Sequence, residues 1–330
     1  MSNAEQGTGL RIGILADSAT QLYALREIVL SSGNHPGKSF VSSETNSATL
    51  TAAQDEVDAW LIEADFSLLP NQWLEPWLAH NHLPVVIGEG QHSAPGTEEH
   101  QAWLRRLTAK LRQLNGMLKL EQHRGGAAKE IWVLGASTGG PEAVMQFFQA
   151  LPANLGVAFV YAQHIDKGFE KNLVEMLNRK SRYSAYLVEH GDVLHTNGIA
   201  VLPTNRCVEV LENGTLMIKD QPWSGPYSPS INQVVANVAR NFPNRCGAVI
   251  FSGMGDDGAA SSRLIRQRGG LLWVQTPETC ACPSMPDAVL SLGTNGATSV
   301  DAIGTPVALA AAFSRRLHRT PTDQRLTKQN

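Results

Sequence analysis

Apolar residues along this chain fall into short blocks separated by stretches of helical spacing. Residues 10–15 (LRIGIL) form a strand-like run, and residues 21–30 carry a helix-like pattern, together the opening of a βα unit. Further apolar runs at 59–62 and 84–87 follow at distances that leave room for crossover helices. Residues 101–120 place leucines at 104, 107, 111, 114 and 118, three or four apart and therefore on one helical face. Between these elements, residues 42–54 and 89–99 are rich in serine, threonine, glycine and glutamate and read as loops or weak helices.

A polar, glycine-bearing stretch at 121–129 (EQHRGGAAK) has the composition of an interdomain linker, with the boundary near residue 128. Beyond it the alternation restarts: strands at 131–134, 157–161, 248–251 and 271–275, helices at 141–150, 170–178, 260–268 and 305–317. Strands alternating with helices predict parallel sheets covered on both faces, hence an α/β fold of two doubly wound domains at residues 1–120 and 130–318. From 186 to 218 the pattern changes to short β runs broken by turns. Glu212-Asn213-Gly214 is a hairpin signal there and predicts a small antiparallel insertion. The polar tail, residues 319–330, is expected to be disordered.

Composition narrows the function classes. The 330 residues are 42% apolar, enough for two cores without staples. Lysine plus arginine number 27 against 30 aspartate plus glutamate, a balance that argues against a nucleic-acid partner. No apolar run approaches the length of a membrane span, and residues 1–9 lack a hydrophobic signal core, so membrane insertion is not expected and a cytoplasmic location is. Cys207, Cys246, Cys280 and Cys282 lack zinc-knuckle spacing and fit a reducing compartment as small hydrophobes, although Cys280 and Cys282 could sit on a loop near a site.

Candidate chemistry gathers at strand ends. Gly135-Ala136-Ser137-Thr138-Gly139-Gly140-Pro141-Glu142 follows the strand at 131–134 and opens a helix. A serine on such a turn projects its hydroxyl at the carboxyl end of the sheet, with helix N–H groups able to face a developing negative charge. The same turn read differently is an anion cradle or a plain connection; it lacks the lysine of a P-loop, and its spacing is not G-x-G-x-x-G. His164 follows the strand at 157–161 and should emerge at the same edge as Ser137, which makes it a candidate base rather than a surface imidazole. Phe251-Ser252-Gly253-Met254-Gly255-Asp256-Asp257-Gly258 brings an acidic pair to a third strand end. One aspartate could orient the imidazole, and either could cap the helix that follows. His164, Asp166, Asp256 and Asp257 could in principle ligate a cation, but no H-x-x-x-H or paired-histidine spacing accompanies them, so neither metal nor cofactor is expected.

With these motifs in place, the chain from about 130 to 315 resembles the chemotaxis-type protein-glutamate methylesterases, the CheB family. The resemblance rests on residues 135–140, Gln163-His164 and residues 253–258. Tyr227-Ser228-Pro229-Ser230-Ile231-Asn232 and Ser284-Met285-Pro286 with Asp287-Ala288 support it. It implies a parallel-sheet methylesterase domain with Ser137 as nucleophile, His164 as general base and acid, and Asp257 as orienting carboxylate. It further implies that the Met254 N–H binds the oxyanion, with Thr138 in support. Asn232 departs from the family's usual aspartate. The chain order serine, histidine, aspartate differs from that of α/β-hydrolases.

Residues 10–120 resemble the flavodoxin-like receiver that precedes such domains, in degenerate form. Asp17 and Ser18 follow the first strand, but Ala16 stands where one acid belongs. Glu63 takes the phospho-acceptor position at the third strand's end, and Gly88 and Glu89 replace the hydroxyl residue after the fourth, with no lysine-proline pair beyond. A glutamate here does not form the acyl phosphate, and the missing acid weakens magnesium binding, so a pseudoreceiver is expected. An unrelated flavodoxin-like domain is the alternative. The resemblance implies ester hydrolysis, with possible glutamine deamidation, on methylated chemoreceptor cytoplasmic helices, and contact with the pathway's histidine kinase or adaptor. Two alternatives keep their place: a non-catalytic adaptor of a chemosensory array, and a phosphate or nucleotide binder using the turn at 135–140.

Overall fold

The computed structural model describes residues 9–66, 71–88, 97–124, 128, 130–293 and 300–318. The expected polar tail, Glu89 and linker residues 125–127 and 129 lie outside them. Two compact units emerge. The first comprises Met1–Gly126 with Glu189–Val193 and Leu211–Met217, the second Ala127–Val188, Leu194–Val210 and Ile218–Asn330.

In the first unit the chain runs β1 (Arg11–Ala16), α1 (Ala19–Ser31), β2 (His35–Val41), α2 (Ser47–Ala52), β3 (Ala59–Glu63), α3 (Leu74–His80), β4 (Val85–Ile87) and α4 (Glu98–Arg124). The sheet order is β2-β1-β3-β4 and every pairing is parallel, the flavodoxin-type arrangement with four strands among the described residues. Alternation along β1 divides the core between two faces. Ile12, Ile14 and Ala16 cluster with Leu25, Ile28, Leu107 and Leu111 from α1 and α4. Leu15 joins Trp60, Ile62, Leu50, Leu74 and Trp77 on the other. Ser18 starts α1 by accepting the Gln21 N–H. Residues 121–124, expected in the linker, instead continue α4.

The carboxyl edge of this sheet carries Asp17, Glu63 and Gly88, the positions at which the sequence resemblance places the receiver's altered residues. Asp17 accepts hydrogen bonds from Ser42 Oγ, the Asp65 N–H (2.7 Å) and Asn71 Nδ2 (3.2 Å), so protein donors already surround its carboxylate. Glu63 ends β3 and is 1% exposed. A Cβ placed on Gly88 would fall 1.3 Å from Glu63 Oε2. The longer acid at 63 thus occupies the space that a side chain at 88 would need, so its carboxylate must turn aside within a buried setting. Gly88→Ala is expected to lower stability by about 1–3 kcal/mol, the scale of overpacking. Adding Glu63→Asp to that variant should recover part of the lost melting temperature; no recovery would show that the two side chains do not compete.

The second unit contains β5 (Glu130–Ala136), α5 (Gly140–Ala150), β6 (Val157–Gln163), α6 (Glu170–Lys180), β7 (Ser184–Leu187), β9 (Gly198–Val201) and β10 (Val208–Val210). It continues with α7 (Ile231–Asn241), β12 (Cys246–Ile250), α8 (Ser262–Gln267), β13 (Leu271–Val274), α9 (Ser284–Gly293), β14 (Asp301–Ala302) and α10 (Pro306–His318). Seven strands form one sheet in the order β14-β13-β12-β5-β6-β9-β7, parallel throughout. The expected small antiparallel element is present: the turn at Glu212-Asn213-Gly214 closes with the Leu211 N–H donating to Thr215 O (2.9 Å), and Cys207 O accepts the Lys219 N–H (2.8 Å), although not every short run in 186–218 joins it. β7 and β9 pair parallel and extend the main sheet, because residues 188–197 return the chain to the same end before β9 begins. Antiparallel pairing joins β8 (Asp192–Val193) to β11 (Thr215–Ile218), both counted with the first unit apart from Ile218.

Central strands β5, β6 and β12 are buried almost end to end, as a sheet covered on both faces requires. Phe147 and Phe148 on α5, Phe159 on β6 and Phe313 on α10 meet in edge-to-face contacts, with Trp132 4.6 Å from Phe313 between ring centroids. This aromatic layer holds α5 and α10 on the sheet and gives the strand ends a rigid base.

Candidate active site

Three neighbouring strands, β12, β5 and β6, end together at the carboxyl edge of the second sheet. β5 delivers Ser137, β6 delivers His164, and the segment after β12 delivers residues 252–258. The turn around Ser137 is held by its main chain. Its N–H donates to Ser252 O (3.1 Å), while its carbonyl accepts from the Gly140 N–H (2.8 Å) and from Gln163 Nε2 (2.9 Å). Gly139 then takes φ +77° as the N-cap of α5, and a Cβ there would meet Ala281 and Ser252. The hydroxyl of Ser137 makes no hydrogen bond among the described residues.

His164 and Asp257 are joined directly, His164 Nε2 lying 3.0 Å from Asp257 Oδ2. Asp257 is fully buried and saturated with donors. Oδ2 also accepts the Ile231 N–H (2.7 Å), and Oδ1 accepts those of Asn232 (2.8 Å) and Gly258 (3.1 Å). Its carboxylate therefore sits on the amino end of α7, where free N–H groups and the helix dipole favour negative charge. Capping was expected of this acidic pair, but on the helix that follows it; the helix Asp257 caps is α7, which precedes it. Asp256 instead accepts the Tyr227 hydroxyl proton at Oδ1 (2.8 Å). That hydrogen bond raises the Tyr227 pKa and keeps the phenol a donor. The Tyr227 ring stacks on His164, centroids 5.0 Å apart and planes 6° from parallel.

Met254 is 64% exposed, and its N–H has no hydrogen-bond partner among the described residues. Its neighbours are fixed: Gly253 N–H donates to Cys282 O, and Gly255 N–H to Ser284 Oγ. Thr138 is exposed, and its carbonyl accepts from Ser252 Oγ (2.7 Å). Cys282 packs beside this loop by its main chain, whereas burial, followed by nearby negative charge, pushes the Cys280 thiol up to about 11 and makes it a poor nucleophile. Asn232 keeps its main-chain contact to Asp257 and uses its side chain to accept the Ser261 N–H (2.9 Å).

Two supporting residues carry no sequence signal of their role. Gln163 is buried and donates from Nε2 to both Ser137 O and His164 O, while its Oε1 accepts from Tyr161 (2.6 Å). It ties the serine turn to the strand end bearing the histidine. Glu170 is the second, accepting from the Gly168 N–H (2.6 Å) and from the Thr204 N–H and hydroxyl (3.1 and 2.6 Å). Burial opposes its ionisation, but the bonds from Thr204 and the nearby main-chain N–H groups prevail and lower its pKa. A carboxyl depressed in the folded state contributes stability above its unfolded pKa and loses it as pH falls through the folded value. Wild type should therefore exceed Glu170→Gln in melting temperature at neutral pH by a margin that shrinks below about pH 5. A margin that does not change with pH would rule this out.

The CheB methylesterase family model matches residues 132–307. Curated relatives include protein-glutamate methylesterase/protein-glutamine glutaminase 1 of Saccharophagus degradans, 34% identical over 161 residues covering 48% of this chain and 44% of that protein. Protein-glutamate methylesterase/protein-glutamine glutaminase 3 of Pseudomonas aeruginosa is 33% identical over 168 residues, covering 51% and 50%. The chain spans about half the length of the curated relatives it matches. Among solved structures, the CheB methylesterase catalytic domain of Thermotoga maritima shares the fold with a TM-score of 0.53 at 23% identity, over 58% of this chain and all of that one.

Proposed function

Because the chain belongs to the CheB methylesterase family, we propose that its second unit hydrolyses glutamate γ-methyl esters on protein side chains, with Ser137 as the nucleophile. One observation carries this reading: His164 Nε2 lies 3.0 Å from the buried Asp257 carboxylate, at the end of the strand beside the one that bears Ser137. With Nε2–H engaged by Asp257, Nδ1 is the imidazole nitrogen free to take a proton.

Ser137 Oγ attacks the ester carbonyl carbon as His164 Nδ1 accepts the hydroxyl proton. The Met254 N–H and the amino end of α5 face the oxyanion of the tetrahedral intermediate, and the Thr138 main chain supports that geometry. Collapse expels methanol, which takes the proton from His164, and leaves an acyl-serine. Water, deprotonated by the same nitrogen, then releases the glutamate carboxylate. A glutamine side-chain amide would follow the same course with ammonia as leaving group.

The substrate proposed is a methylated helix of a chemoreceptor's cytoplasmic region. The near-balanced net charge of −3 suits a protein partner over a polyanion, and no described helix is long and apolar enough to cross a membrane. The first unit is a receiver relative without phosphoryl chemistry, since Glu63 is buried and Asp17 is engaged by protein donors. Its role is then constitutive, or set by a bound partner such as the pathway's kinase or adaptor. The full chain, incubated with a helical peptide bearing glutamate γ-methyl esters, should release methanol and should react with a fluorophosphonate at Ser137. A non-catalytic adaptor, or a nucleotide binder using the 135–140 turn, would do neither.

A further inference from the structure

Resting on the serine-hydrolase reading above, we propose that Tyr227 is a positioning residue that holds the His164 imidazole by its face, and that Asp256 tethers it there. A ring fixed only through one edge nitrogen keeps the freedom to swing about that hydrogen bond. Asp257 supplies the edge contact, at Nε2. The parallel Tyr227 ring, 5.0 Å away between centroids, supplies a wall that removes the remaining freedom.

Tyr227 lies before α7, on a segment exposed on both sides of it, and needs an anchor of its own. Its hydroxyl donates to Asp256 Oδ1 (2.8 Å) and accepts the Asp256 N–H (3.3 Å), a reciprocal pair that fixes the far end of the ring. Two consecutive aspartates thus hold one imidazole, Asp257 directly and Asp256 through Tyr227.

The arrangement suits a base that changes charge. His164 takes a proton from Ser137 and returns it to the leaving group, and both transfers need Nδ1 kept in line. An aromatic face against the ring also favours the imidazolium formed between the two transfers. The effect belongs to the chemical step and leaves substrate affinity aside.

Fluorophosphonate inactivation of the full chain separates these terms, because the maximal inactivation rate reports the activated Ser137 and the half-saturating concentration reports binding. Tyr227→Ala should cut the maximal rate on the order of tenfold or more, with half-saturation and melting temperature little changed. Tyr227→Phe, which keeps the ring, should recover most of that rate. Asp256→Ala, which leaves the ring untethered, should give an intermediate loss that Asp256→Asn reduces. A Tyr227→Ala rate equal to wild type overturns the proposal, and so does a Tyr227→Phe as slow as Tyr227→Ala, which would assign the effect to the hydroxyl. If Asp256→Ala matches wild type, the tether is wrong. Labelling of the wild type at Ser137 alongside any of these results leaves the hydrolase reading standing. A wild type that takes no label at Ser137 removes both.

Discussion

Ser137→Ala is expected to reduce methanol release from a methyl-esterified helical peptide by roughly 10⁴–10⁶-fold while leaving the melting temperature nearly unchanged. The two halves of that expectation have separate physical origins. Every hydrogen bond that fixes the Ser137 turn uses its main chain, the N–H to Ser252 and the carbonyl from Gly140 and Gln163, and alanine keeps them all. The hydroxyl has no structural partner among the described residues, so its removal strands no polar group. Chemistry loses its nucleophile outright, and the residual rate would come from the oxyanion donors acting on water. A variant retaining a tenth or more of the wild-type rate would mean that another group attacks the ester.

Asp257 should behave in the opposite manner, with catalysis and stability falling together. Asp257→Asn replaces one acceptor oxygen by an NH₂ group among donors that all point inward: the Ile231, Asn232 and Gly258 N–H groups and His164 Nε2. Placing the amide nitrogen toward His164 would force the proton onto Nδ1, the nitrogen needed to accept the Ser137 proton. A loss of about 10⁴-fold in rate is the scale for a triad held in the wrong tautomer. Asp257→Ala goes further, leaving the Ile231, Asn232 and Gly258 N–H groups without their acceptor while Ser230 still caps α7, at about 1–3 kcal/mol for each buried group left unpaired. Methanol release and thermal unfolding, measured on the same preparations, check both. An Asp257→Ala chain as stable as wild type would show that α7 does not depend on this carboxylate.

What the sequence made legible follows from where the physics is local. The central strands and long helices have strong periodicity, and the glycine-rich segments at 135–140 and 253–258 flag backbone turns at strand ends. The receiver-like sheet was harder to read at its margins. β2, with the sequence HPGKSFV, is an edge strand with no alternating apolar face, and α3 is a single short helix with Pro76 in its first turn. Parallel pairing of β7 with β9 is invisible to periodicity, since a short β run looks the same in either direction. The contacts of the supporting residues escaped for a related reason. Tyr227 and Asp256 are 29 positions apart and Glu170 and Thr204 are 34 apart, and no repeat or motif encodes such contacts.

Glu63 and Gly88 carry one more consequence. A Cβ at 88 would fall 1.3 Å from Glu63 Oε2, so a side chain at 88 is accommodated only if the acid at 63 moves or shortens. On the pseudoreceiver reading proposed above, a phosphoryl-accepting edge calls for an aspartate at 63 and a hydroxyl residue at 88, besides an acid at 16, and the order of the first two changes matters. A hydroxyl side chain introduced first collides with the glutamate, whereas the shorter acid introduced first opens a void that costs less. The two positions are coupled, and on that reading the acid is shortened before the hydroxyl arrives.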